Sequence, residues 1–173
     1  MKNLFRALAA LLVGVSAGAH AQSWDVLTTV ETVTLAASPD AAWDIVKDYD
    51  SLHKWHPVFS NDVIIAGVNN QMAATRRLTV KDGPDFTEEL LGWSDYGKTY
   101  TYRIVQSPLP LKGYSATITV SPVAGGGSMI TWSGNFKRPE KVAKADQDDA
   151  ATMKFISNVY RAGLDNVKKM VDK

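Results

Sequence analysis

The sequence predicts an α+β fold in which a curved, seven-stranded antiparallel sheet clasps one long C-terminal helix, with two short helices after the first strand. Three observations carry that prediction. A helix-start signal, Ser38-Pro39-Asp40, follows the first strand-like run. Six further runs with a period of two are then separated by short turns. From about Gln147 onward the period changes to three and four residues and stays so to the end of the chain.

Leu27 to Ala37 (LTTVETVTLAA) alternates as a strand does. A helix is expected from Pro39 to about Lys47, with Ser38 as its cap. Asp50 is expected to cap a shorter helix through Lys54 that Pro57 stops. The strand-like runs VFSNDVIIAG, ATRRLTV, FTEELLGWS, KTYTYRIVQ, GYSATITVS and SMITWSGNF come next. KDGP, DYG and AGGG have the composition of hairpin turns, and the prolines of SPLPLK favour an extended path that could line an entrance. In the C-terminal helix Met153, Ile156, Tyr160, Gly163, Leu164, Val167 and Val171 form the apolar stripe. A single sheet has one apolar face to cover, and this helix is the element large enough to lie across it.

Lys2 and Arg6, the apolar run Ala7 to Ala19 and the small residues Ala19 and Ala21 around His20 have the form of a secretory signal. Cleavage is expected before Gln22, leaving one domain over residues 22–173 in the periplasm. The apolar run has 13 residues, short of the roughly 18–20 that cross a bilayer, and no later run is longer. Removing Lys2 and Arg6 from the 19 basic residues leaves 17 against 18 acidic ones, a net charge of −1. That balance gives no electrostatic footprint for nucleic acid or for an anionic membrane surface. The chain has no cysteine, which excludes disulfides, thiol nucleophiles and thiolate metal sites.

Alternation places Tyr100, Tyr102, Tyr114, Trp132 and Phe136 on the inward face, beside the small residues Ala116 and Gly134. With Trp43, Phe155 and Tyr160 from the helices, these aromatics either fill a core or line a cavity for a small hydrophobic ligand. Trp55 and Pro57 are expected to anchor the short helix over the mouth, with His56 as a polar residue on its rim. His53 and His56 could share a helix face and ligate zinc or copper, but His20 leaves with the signal and no cysteine completes a set, so no metal is expected. If Val80 pairs with Asp85 across a four-residue turn, Arg77 meets Glu88 and Arg76 meets Glu89, one pair on each face of the sheet. Which pair faces inward is open at this point; Arg77 and Glu88 are candidates to orient a ligand. No nucleophile elbow, catalytic triad or phosphate-cradling loop is present, and nothing demands a catalyst or a cofactor.

SPDAAWDIVKDYDSLHKWHP resembles the first helical segment of the SRPBCC superfamily, the START-like or birch-allergen-like helix-grip fold. TRRLTVKDGPDFTEELL is similar to its basic strand, turn and acidic strand, and ITWSGNF with ISNVYRAGLDNVKKMV to its last strand and closing helix. The likeness covers the whole mature chain. Within the superfamily the signal together with GYSATITVSPVAGGGSMITWSGNFKR is most similar to the periplasmic MxaD-type accessory proteins of methanol oxidation. That resemblance implies a non-enzymatic protein assisting electron transfer from a quinoprotein methanol dehydrogenase to its cytochrome c. Its docking surfaces would be the mixed patch Lys137 to Asp149 and the Lys168, Lys169 and Lys173 end. A periplasmic carrier of a small hydrophobic ligand is the alternative. A polyketide cyclase or dehydratase ranks last, because export separates it from cytoplasmic synthases.

Overall fold

The computed structural model describes residues 26–138 and 148–171. The proposed signal segment, Lys173 and residues 139–147 of the Lys137 to Asp149 patch lie outside them. The chain runs β1 (Leu27–Leu35), α1 (Pro39–Val46), α2 (Leu52–Trp55), β2 (Phe59–Ala66), β3 (Thr75–Val80), β4 (Asp85–Ser94), β5 (Thr99–Gln106), β6 (Lys112–Pro122), β7 (Ser128–Lys137) and α3 (Asp149–Val171). The strands form one antiparallel sheet in the order β1-β7-β6-β5-β4-β3-β2. Chain neighbours pair throughout, except that β1 closes onto β7, so the chain doubles back across its own end.

Each element has a local cause. Ser38 accepts a hydrogen bond from the Ala41 N–H and Pro39 opens α1, as the start signal requires. Asp50 does not cap α2. The Leu52 N–H donates instead to Asp62 Oδ2, 3.0 Å away on β2, so the first turn is capped from across the fold. β7 and β6 pair in register over Thr117↔Ser133, Ile118↔Trp132 and Thr119↔Thr131. Their Thr and Ser side chains stay half-exposed while Ile118, Val120, Ile130, Trp132 and Phe136 are buried, as the alternation predicts. Gly125 and Gly126 hold φ of 89° and 87° at the β6–β7 turn, a conformation that carries no steric penalty without a Cβ.

α3 spans about 34 Å at 1.5 Å per residue and lays Ile156, Tyr160, Gly163, Leu164 and Val167 against the sheet. Gly163 has a specific task there. A Cβ on it would lie 2.5 Å from the His56 ring and 3.0 Å from Trp55, so the missing side chain is what lets α2 and α3 approach. No helix among the described residues is long and apolar enough to cross a membrane.

Candidate functional site

The site starts from one buried cation. Arg76 on β3 is 1% exposed and its Nη2 and Nε both donate to Glu88 Oε2 on β4, at 2.7 and 2.9 Å. Its Nη1 donates to Asp62 Oδ2 at 3.2 Å and to the Tyr49 carbonyl. The guanidinium lies 4.1 Å from the centre of the Tyr49 ring and 5.2 Å from that of Tyr102, within cation–π range of both. Tyr49 sits between α1 and α2, where its N–H donates to Asn70 Oδ1 and Asn70 in turn donates to Asp48. Desolvation pushes the carboxyls of Asp62 and Glu88 above their ordinary range, against the pull of Arg76. Arg76 itself is held well above its usual value: burial alone would lower it, and the two carboxylates more than reverse that.

The ion pair differs from the expected one. Thr79 rather than Val80 pairs with Asp85, so Arg76 meets Glu88 and Arg77 meets Thr87. The connection is one residue longer than assumed: the Val80 N–H bonds back to the Pro84 carbonyl at 3.3 Å, and Asp82 takes φ 57°. A one-residue slip exchanges faces. Arg77 is therefore exposed, 4.0 Å from Asp85, and takes no part in the interior. Glu89 pairs with Arg103 on the outer face.

Beside Glu88 lies a cavity of about 50 Å³ between the sheet and α3. Glu88, Tyr102, Tyr114, Trp132, Phe155 and Tyr160 line it, with aliphatic residues completing the wall. Its half-exposed members, Ile104, Leu109, Phe155 and Val159, mark the side toward solvent, and Leu109 brings the SPLPLK segment there. The interior is ordered by contacts among the aromatics. Trp132 stacks on Tyr160 with ring centres 4.4 Å apart and donates from Nε1 to Tyr102 Oη at 3.1 Å. Tyr114 and Tyr160 share a hydrogen bond of 2.5 Å between their hydroxyls. Burial raises all three phenols, so each stays protonated.

The remaining sequence candidates lie outside that wall. Trp43 packs against Trp93 and Tyr100 and donates to Asp95 Oδ1 at 2.7 Å, pinning α1 to the far end of β4 and β5. Trp55 meets Trp132 edge-on from beneath. His56 is not a rim residue: it is 1% exposed, its Nδ1 accepts from the Val58 N–H and its Nε2 bonds the Val159 carbonyl of α3. Burial drives its pKa down to about 4, so the ring is neutral and holds α2 to α3. His53 is half-buried and does not join it, and among the described residues no group of three His, Asp or Glu side chains could hold a metal ion. Sequence reasoning missed Tyr49 and the buried role of Asp62. The parity of Arg76 with Leu78 and Val80, and of Glu88 with Phe86 and Leu90, is the signal that would have found the inner pair.

The sequence pattern of the family described as polyketide cyclase / dehydrase and lipid transport matches residues 27–172. The chain belongs to that family. It is thereby a member of the SRPBCC superfamily, and its seven-stranded sheet gripping α3 is the helix-grip fold of that family. Solved structures of the same fold include XoxI from Bacillus cereus, 24% identical, with a TM-score of 0.76 over 85% of this chain and 96% of that one. The Zhui aromatase/cyclase from Streptomyces sp. R1128 is 15% identical, with a TM-score of 0.72 over 86% and 94% of the two chains. A protein from Thermobifida fusca is 19% identical, with a TM-score of 0.69 over 83% and 92%. No curated protein matches the chain. Identities this low establish the shared fold and leave the function of this family member to its own side chains.

Proposed function

We propose that this protein is an exported, non-enzymatic binding protein that holds the head of a small amphiphilic molecule in the cavity beneath α3. One observation carries the reading. In a wall otherwise made of apolar and aromatic side chains, the two Arg76 bonds both go to Glu88 Oε2, and Oε1 has no partner among the described residues. Such a wall, mostly apolar with a few polar groups, here one carboxylate among tyrosine hydroxyls, is how small-molecule sites are built. It suits binding better than turnover: Glu88 is clamped on an arginine, and the tyrosines are held protonated. The free volume of about 50 Å³ admits a head of three or four non-hydrogen atoms, with any longer tail leading past Phe155 and Leu109. Titration of the isotopically labelled protein with n-propanol should give saturable NMR shifts confined to the cavity lining. For four non-hydrogen atoms a dissociation constant of about 1 mM is expected. Shifts that are absent, or scattered over the surface, would reject the cavity as a binding site.

A second reading is favoured by the match to XoxI over nearly its whole length and by the MxaD-like last hairpin. In it the protein is a periplasmic accessory factor in electron transfer from a quinoprotein methanol dehydrogenase to cytochrome c. Electron-transfer partners meet through small, charge-complementary surfaces, so the effect should be salt-sensitive. Residues 22–173 should accelerate cytochrome reduction at low salt and less so at moderate salt. An unchanged rate at both would end that reading for those partners.

A further inference from the structure

The interior charge does not balance. Among the described residues, apart from tyrosines that burial keeps protonated, the buried ionisable side chains are Arg76, Asp62, Glu88 and His56. His56 is neutral, with both ring nitrogens occupied in hydrogen bonds. One guanidinium is therefore set against two carboxylates, which are 5% and 6% exposed, and a buried charge persists only when it is paired. Each carboxylate has one oxygen satisfied twice, Asp62 Oδ2 by the Leu52 N–H and Arg76 and Glu88 Oε2 by Arg76, and one oxygen without a protein donor among the described residues, Asp62 Oδ1 and Glu88 Oε1; of the two residues only Glu88 lines the cavity. The other polar atoms of that wall are the hydroxyls of Tyr102, Tyr114 and Tyr160, which can accept as well as donate. Around them stand Trp132 and Phe155, ring systems whose electron-rich faces attract cations.

We propose that the cavity is selective for a protonated amine, a small alkylammonium head whose N–H groups bond Glu88 Oε1 and the tyrosine hydroxyls while the aromatic rings enclose its charge. This rests on the cavity being a binding site. An ammonium supplies the positive charge that the Arg76, Asp62 and Glu88 group is short of, which an alcohol of the same size cannot do. A carboxylate of that size would add to the excess negative charge and is rejected. Without an amine, a proton on one of the two carboxyls meets the same need, consistent with the upward displacement of both. An amine and a proton are thus alternatives at this site.

The test compares three probes of matched size, n-propylamine, n-propanol and propionate, by NMR titration of the folded protein at neutral pH. The amine, present as its cation, is expected to bind at least tenfold more tightly than the alcohol, as charge-assisted hydrogen bonds and a desolvated cation–π contact require. Propionate should not bind. Glu88→Gln leaves Arg76 paired with Asp62 at zero net charge, so the variant should fold, and the ratio of its amine to its propanol affinity should fall to within about twofold whatever becomes of the propanol affinity itself. Propanol binding with an equal or weaker affinity for propylamine overturns the proposal while leaving the cavity a binding site. Binding of none of the three overturns the cavity reading itself. An amine preference undiminished in Glu88→Gln also overturns the assignment, because the selectivity would then arise elsewhere.

Discussion

Arg76→Met should destabilise the fold by about 3–5 kcal/mol at neutral pH, the cost of removing one partner from a buried ionic group. Asp62 and Glu88 would face each other's neighbourhood with no cation between them, and the Tyr49 carbonyl would lose its donor as well. The loss should depend on pH in a defined direction. Desolvation already raises both carboxyls in the folded state, and removing Arg76 raises them further. A carboxyl raised on folding adds stability below its unfolded value, and that stability is lost as pH rises through the folded value. The variant should therefore come closest to wild type as pH falls toward the ordinary carboxylate range near about 4, and fall furthest behind at pH 7. Urea unfolding midpoints at several pH values measure this directly. Asp62→Asn and Glu88→Gln added to Arg76→Met should restore much of the loss at pH 7. A variant within about 1 kcal/mol of wild type at neutral pH would mean that water reaches the group and the interior is less closed than its burial implies.

Why the inner pair escaped a reading of the sequence is instructive. Turn composition locates KDGP as a turn but does not fix whether it holds four residues or five, and the left-handed Asp82 settles that only in three dimensions. An error of one residue exchanges the faces of β3 relative to β4, which sets Arg77 opposite Glu88 in place of Arg76. The apolar alternation of Leu78 and Val80 is a stronger constraint than the turn, because burying the wrong face forfeits the core. The strands, the first helix and α3 were legible because each has its own period and, for α1, its own cap. Tyr49 was not, since its place is set by the hydrogen bond its N–H donates to Asn70 Oδ1, 21 residues away. His56 was misplaced for a related reason: its burial depends on a missing side chain at Gly163 on a distant helix. The aromatics were rightly placed inward, but whether rings fill a space or line one depends on their rotamers, and no spacing encodes that.

The tightest of those fits yields the second large effect. A Cβ on Gly134 would lie 2.0 Å from the Tyr160 hydroxyl, 3.2 Å from its Cζ and 3.6 Å from the Ala116 Cβ. Tyr160 can move only by giving up its partners. Its ring is stacked on Trp132 and its hydroxyl is bonded to Tyr114, so Gly134→Ala must either swing the phenol into the cavity or lift α3 from β7. Overpacking of this kind should cost about 3 kcal/mol, at the upper end for one added methyl group. In a Tyr160→Phe background the closest atom is gone and the next lies at 3.2 Å, so the same substitution should be milder by about 1–2 kcal/mol. A double-mutant cycle by urea unfolding measures that coupling, and strict additivity would show that the clash is relieved through β7 and not through Tyr160. Gly134→Ala also reports on the site. If the phenol swings inward it occupies the space beside Glu88, and n-propylamine binding should weaken together with stability; if α3 lifts instead, the cavity widens and binding of longer amines should gain relative to propylamine.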